Sequence, residues 1–144
     1  MLKNIPPIIS PDLMHVLMSM GHGDEIVFAD GNFPADAYSQ RLVRCDGHTV
    51  TQLLDAILPF FPLDTYVPAP VGLMDIVKGD VVQPTIWEDY KQVIKKHEGK
   101  EPNIEFIERF EFYERAKKAY AIVATSEMAL YANVILKKGV VVPK

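Results

Sequence analysis

One cysteine, Cys45, is all the sequence contains, so no intrachain disulfide can form. The four histidines, His15, His22, His48 and His97, show no HxxxH or HxH spacing, and Cys45 has no cysteine partner. That pattern excludes a structural zinc site. Basic charge is also scarce: 15 Lys and Arg stand against 19 Asp and Glu, for a net charge of −4. A nucleic-acid partner is therefore not expected, because such proteins carry a basic face. No GxGxxG or GxxxxGK[ST] run is present to cradle a nucleotide, and no GxSxG elbow to present a nucleophilic serine. No stretch approaches the roughly 18 apolar residues of a membrane span. The opening MLKNIPPIIS has no apolar run long enough for a signal peptide. Together these absences lead to the expectation of a soluble cytoplasmic protein with no membrane partner.

What is present is the length and composition of one ordinary globular domain. Its 144 residues are 49% hydrophobic and 24% charged, and a chain of this size buries about two-thirds of its unfolded surface. Turn signals divide the chain into short alternating pieces. Ser10-Pro11-Asp12 reads as a helix start, with a capping hydroxyl, a proline at the first helical position and an acid in the first turn. Leu13, Leu17 and Met20 follow at helical spacing, and Gly21 is the expected cap. Ile26-Val27-Phe28-Ala29 is too short for a helix and suits a strand buried on both faces. Further helices are expected over 36–41, 49–58, 84–97 and 110–118. Further strands are expected over 42–45, 71–77, 104–107, 119–124 and 131–136. Strands alternating with helices give an α/β fold. The expectation is a single three-layer domain over residues 1–144, with a central, largely parallel sheet flanked by helices. The proline-rich stretch from Pro59 to Pro70 reads as an extended excursion that packs against another subunit.

In such sheets ligands gather beyond the carboxyl ends of the strands. Asp30 directly follows the buried strand, where it either meets a ligand or forms a turn with its own backbone. Gly21-His22-Gly23-Asp24 is the most unusual segment. Its glycines allow a tight loop with close ligand approach, although His22 also fits as a solvated turn residue. His22 and Asp30 flank opposite ends of one strand. They share a ligand only if both loops fold back over it or a neighbouring subunit supplies one of them. Tyr131 and Asn133 alternate, so on a strand beginning at Tyr131 they face one side. A phenol and an amide there suit a polyhydroxylated ligand; the other reading is a tyrosine anchoring an edge strand. Arg109 falls at a strand–helix junction, where an arginine is commonly solvated or paired. His15, His48 and His97 read as bland, His97 complementing a helix carboxyl end. Cys45, in a strand, reads as buried and inert.

Three segments carry a family likeness: Met20-Gly21-His22-Gly23-Asp24-Glu25-Ile26; Ala29-Asp30 with Asn32-Phe33-Pro34-Ala35; and Leu130-Tyr131-Ala132-Asn133-Val134-Ile135-Leu136. In order and over nearly the whole chain, they resemble the L-fucose mutarotase and D-ribose pyranase family. Asn32-Phe33-Pro34 and Arg109, ahead of Phe112-Tyr113-Glu114-Arg115, resemble its fucose branch. The resemblance implies exchange of the α and β anomers of a free monosaccharide, L-fucose first and D-ribose second. His22 would be the proton donor, and Asp30, Arg109 and the run Tyr131, Ala132 and Asn133 would contact the sugar, with Tyr131 as a second proton relay. It implies no cofactor and no metal. It also implies a homo-oligomer, with a decameric ring as one form. Alternatives from other classes are a sugar-binding regulatory protein without turnover and an aldose–ketose isomerase, which would need a base or metal at C2.

Overall fold

The computed structural model describes residues 1–144. Eleven elements follow in the order α1 (Pro11–Ser19), β1 (Glu25–Ala29), α2 (Ala35–Tyr38), β2 (Leu42–Cys45), α3 (Val50–Ile57), β3 (Val71–Met74), α4 (Ile86–Glu98), β4 (Ile104–Ile107), α5 (Arg109–Lys118), β5 (Ala121–Thr125) and β6 (Val134–Lys137). The strands form one six-stranded sheet in the order β2-β5-β1-β6-β3-β4. Neighbours pair in parallel except where β6 meets β1 and β3, both antiparallel. Five strands thus run one way and β6 alone runs back. The reason lies in its connection. Residues 126–133 hold no helix, whereas a parallel crossover needs a dozen or more residues, usually helical.

Alternation along the strands builds the three layers. Ile26 and Phe28 of β1 join Val134 and Leu136 of β6 on one face, packed against α1, α3 and α4. Val27 and Ala29 join Ile135 on the other face, against α2 and α5. A one-residue slip would exchange the two sets, so the register is strongly specified. On α5, Phe112 and Ala116 are fully buried. Burial of one such aromatic side chain stabilises by roughly 1.5–3 kcal/mol and fixes which face of α5 turns outward.

Local signals set the helix ends. Ser10 Oγ accepts the Leu13 N–H at 3.1 Å, with Pro11 beside it. Thr49 and Gln52 form a reciprocal capping box at α3. Gly99 closes α4 in the left-handed conformation, φ 80°, after Lys95, Lys96 and His97 in the last turn. His97 also lies 2.8 Å from Asp55. Several expectations need correction. Helix α2 ends at Tyr38 rather than Arg41, and strand β5 spans Ala121–Thr125 rather than starting at residue 119. Helix α1 ends one residue early, capped by extended Met20, and the left-handed glycine of that turn is Gly23. Strand β3 stops at Met74 rather than Val77. Tyr131 is not in β6: it sits in the turn before it at φ 57°, a left-handed conformation uncommon for a tyrosine. The Pro59–Pro70 segment is partly internal, since Phe61, Leu63 and Asp64 are buried within their own chain and Leu63 bridges to Lys138. Cys45 is buried, which pushes its thiol up to about 11. No helix is long and apolar enough to cross a membrane.

Candidate functional site

The carboxyl ends of β1, β3 and β4 and the start of β6 meet at one edge of the sheet. There the chain leaves a cavity of about 370 Å³. Asp30, Arg109, Tyr131 and Asn133 all line it, although they come from three separate connections. Asp30 follows β1. Its Oδ1 accepts the Asn32 N–H at 2.9 Å, and its own N–H donates to Asn133 Oδ1 at 2.7 Å. The turn reading and the ligand reading of Asp30 are thus compatible, because a carboxylate has more acceptor sites than its turn uses. The bond to Asn133 also orients that amide: its oxygen is used, so its NH₂ is left for a ligand. Burial holds the Asp30 carboxyl above its usual range, the N–H groups of Asn32 and Phe33 oppose this, and the charge of Glu127 adds to it.

Arg109 opens α5 and pairs with no carboxylate. Its Nε donates to the Tyr113 hydroxyl at 3.4 Å, and its guanidinium lies 5.5 Å from the centre of that ring. The rest of the guanidinium fork remains available for hydroxyl groups. Tyr131 is held at both ends. Its carbonyl accepts the Trp87 indole N–H at 2.8 Å. Its hydroxyl donates to Asp80 Oδ2 at 2.6 Å and accepts the Val77 N–H at 3.2 Å. The bond to Asp80 raises the ionisation of Tyr131 above the ordinary phenol value, and the same bond lowers that of Asp80. Near neutral pH the phenol is therefore neutral, with its proton directed at Asp80 and one lone pair left to accept from a ligand. Ala132 is fully buried outside the cavity, and its carbonyl accepts the Tyr90 hydroxyl at 2.7 Å.

The turn that carries these residues is stitched to the Asp30 turn. Gly31 N–H donates to the Glu127 carbonyl at 2.8 Å, and the Thr125 hydroxyl donates to the Ala29 carbonyl at 2.7 Å. The buried Glu127 carboxylate accepts the N–H groups of Val50, Met128 and Ala129, which joins this turn to the start of α3. Asn32, Phe33, Met74, Val77, Asp80, Tyr113 and Leu130 complete the cavity. Sequence reasoning passed over Asp80 and Tyr113 as site residues. Tyr113 was recoverable, being four residues after Arg109 and so on the same helix face. Asp80 carries no local signal. The result is a small cavity with carboxylates and a phenol oxygen as acceptors, an amide and a guanidinium as donors, and apolar walls. Such a lining suits a compact polyhydroxylated molecule with one apolar face. No group of three or more His, Cys, Asp or Glu side chains could hold a metal ion.

His22 is not in this cavity. It precedes β1 at the opposite edge of the sheet, its side chain is 45% exposed, and its Nε2 lies 3.1 Å from Asp64 Oδ1. The five residues of β1 separate it from Asp30, a span of roughly 16 Å at about 3.3 Å per residue. Within one chain, therefore, the structure brings together Asp30, Arg109, Tyr131 and Asn133, and leaves His22 apart from them.

Residues 3–141 match the family described as the RbsD / FucU transport protein family. The chain is 50% identical over 140 residues to the L-fucose mutarotase of Actinobacillus pleuropneumoniae serotype 5b (strain L20), covering 97% of each. It is 51% identical over 144 residues to the fucose mutarotase of Mus musculus, covering 96% of this chain and 94% of that one. Its fold superimposes on the crystal structure of the fucose mutarotase in complex with L-fucose from Streptococcus pneumoniae with a TM-score of 0.93. That structure shares 55% sequence identity, over 98% of this chain and 100% of the other.

Proposed function

The chain belongs to the RbsD / FucU family, and from that premise we propose that it is an L-fucose mutarotase, an isomerase that interconverts the α and β anomers of the free sugar. The observation that carries this reading is the convergence of Asp30, Arg109, Tyr131 and Asn133 on one small cavity, in a chain so similar to fucose mutarotases over its full length.

The reaction is a ring opening and a reclosure. A proton reaches the ring oxygen while another leaves the anomeric hydroxyl. The bond from C1 to the ring oxygen breaks, and C1 becomes an aldehyde carbon. Rotation about C1–C2 then exposes the other carbonyl face, and closure with the reverse proton movements gives the second anomer. Each proton movement suits general acid–base catalysis, typically worth about 10²–10⁴-fold per positioned group. His22 is assigned the proton donor, because an imidazole both gives and takes a proton near neutral pH. Asp30, the Arg109 guanidinium and the Asn133 NH₂ hold hydroxyl groups. Tyr131 accepts from one, and its contact with Asp80 offers a second path for a proton. Ala132 takes part through the backbone of the turn. Phe33, Met74, Val77 and Leu130 face the carbon skeleton.

A donor must come within about 3 Å of the atom it serves, and β1 keeps His22 much farther from the cavity of its own chain. The active form is therefore a homo-oligomer in which His22 of one copy completes the cavity of the next, and a closed ring such as a decamer satisfies that repeat. Residues 1–144 act as one sugar mutarotase domain in the cytoplasm. The test is exchange NMR of anomeric protons for L-fucose, D-ribose and D-glucose, with and without protein and with a chelator present. L-fucose exchange should accelerate most and survive the chelator. His22→Gln should lower the rate at saturating sugar by about 10²-fold or more and leave affinity nearly unchanged. A folded His22→Gln protein with full exchange would remove His22 from the mechanism and move the assignment to Tyr131.

A further inference from the structure

Tyr131 stands at φ 57°, where the Cβ of an L residue crowds its own backbone. The one other non-glycine residue at positive φ is Asn4, of a type that tolerates it. A glycine or an asparagine would make the Tyr131 turn with less strain. A tyrosine persists in such a conformation only where its surroundings hold it, so the groups that hold it point to what the turn is for.

Those groups come from one stretch of chain, the 75–85 connection and the first turns of α4. At the side-chain end, Asp80 and the Val77 N–H fix the phenol oxygen. At the backbone end, the Trp87 indole N–H donates to the Tyr131 carbonyl at 2.8 Å. Tyr90, three residues on and so on the same helix face, donates its hydroxyl to the next carbonyl, that of Ala132, at 2.7 Å. Strand β6 starts only at Val134, so these two consecutive carbonyls lie outside the sheet ladder and are gripped by side chains instead. The two grips differ in what demands them. Ala132 is fully buried, and a buried carbonyl needs a partner wherever it lies. Tyr131 is only partly buried, so burial alone does not call for a protein donor there. Trp87 is half-buried, with its ring 5.0 Å from that of Phe106. The indole has a single hydrogen-bonding atom, and it is aimed at this carbonyl.

We propose that Trp87 is a positioning residue for the exchange reaction: its N–H pins the Tyr131 carbonyl, keeps that residue left-handed, and so keeps the phenol oxygen between Asp80 and the sugar. That role rests on the reading of Tyr131 as a sugar contact and second proton relay. Without the bond the Tyr131 peptide is free to turn, and relaxation out of the left-handed region swings the phenol off Asp80. Asn133 is held separately, by the Asp30 N–H at 2.7 Å. Sugar binding should therefore suffer less than proton movement.

Trp87 is the only tryptophan in the chain, which allows a test at one atom in the full-length protein. Trp87→Phe keeps a ring against Phe106 and removes the N–H. Replacing tryptophan by its benzothienyl analogue, with sulfur in place of the N–H, removes the same hydrogen with little change of shape and alters this position alone. Each protein should lower kcat for L-fucose exchange by about 10-fold, less than the roughly 10²-fold that a 1 Å misplacement can cause. KM should change by less than about threefold. Tyr131→Phe should also lower kcat, and adding Trp87→Phe to it should lower kcat by less than about twofold more, because the phenol being positioned is gone. A tryptophan that only packed on Phe106 would lower the urea midpoint in Trp87→Phe and leave kcat intact in the sulfur-substituted protein. Unchanged kcat in that protein overturns the proposal, and so does a double variant in which the two losses multiply. If Tyr131→Phe alone keeps full kcat, Tyr131 is no relay and the role of Trp87 fails with it. A wild-type protein that does not accelerate L-fucose exchange at all would instead defeat the mutarotase reading itself.

Discussion

Two defective variants, mixed as subunits, should recover activity that neither has alone. His22→Gln removes the imidazole proposed as proton donor and should lower exchange about 10²-fold. Asp30→Asn keeps Oδ1 for the Asn32 N–H, so the turn survives, but the carboxylate charge at the cavity wall is lost. A hydrogen bond to a charged group is worth about 1.5–3 kcal/mol, or roughly 10- to 100-fold in kcat/KM at low sugar concentration. If each site takes its cavity from one copy and His22 from the next, random assembly of equal amounts leaves both groups intact in about a quarter of the sites. If each chain used its own His22, the mixture would show only the average of the two variants, about 5% or less of wild type on those same magnitudes. The variants should be coexpressed with different tags and purified through both. Exchange is then measured by NMR at L-fucose concentrations well below KM. Recovery to about one quarter of wild-type activity supports shared sites. Activity at the average of the separate variants, or a fully active monomer in sedimentation, refutes the argument from the length of β1.

Two further outcomes are expected. Gly139→Ala should lower the urea midpoint, because the added methyl meets the Leu63 and Asp64 backbone at 2.6–2.8 Å; overpacking of this kind costs about 1–3 kcal/mol, and a midpoint equal to wild type would contradict it. Asp30 sets a pH dependence: its carboxyl is raised in the folded chain, so the folded state binds that proton more tightly, and stability falls as pH rises from the unfolded value through the folded one. Asp30→Asn cannot ionise, so its unfolding free energy should rise relative to wild type as pH increases above the ordinary carboxylate range, and a pH-independent difference in chemical denaturation would count against the assignment.

Much of the fold was legible because it depends on near neighbours. The spans Leu42–Cys45 and Ile104–Ile107 were expected as strands, and they are strands. Apolar runs, proline and serine starts and glycine stops act over a few residues, so alternation of strand and helix can be read along the chain. The separation of His22 from Asp30 was legible for the same reason, since a strand between two residues fixes their distance. So was the convergence of polar residues at the strand ends, which follows from parallel strands sharing one carboxyl edge.

The rest was decided by contacts that no local pattern encodes. Tyr131 and Asn133 were expected to share a face through strand alternation. They do line one cavity, but through a left-handed turn held by Trp87, Tyr90 and Asp80. The reversal of β6 depends on where a short connection can reach once β1 and β5 are paired. Asp64 meets His22 across 42 positions, Tyr131 meets Asp80 across 51, and Asn133 meets the Asp30 backbone across 103. Each of these bonds joins groups whose surroundings exist only after the sheet has formed, because burial and a fixed partner come from tertiary packing. Several candidate polar residues were therefore visible in the sequence, while which of them face each other was settled only by the folded chain.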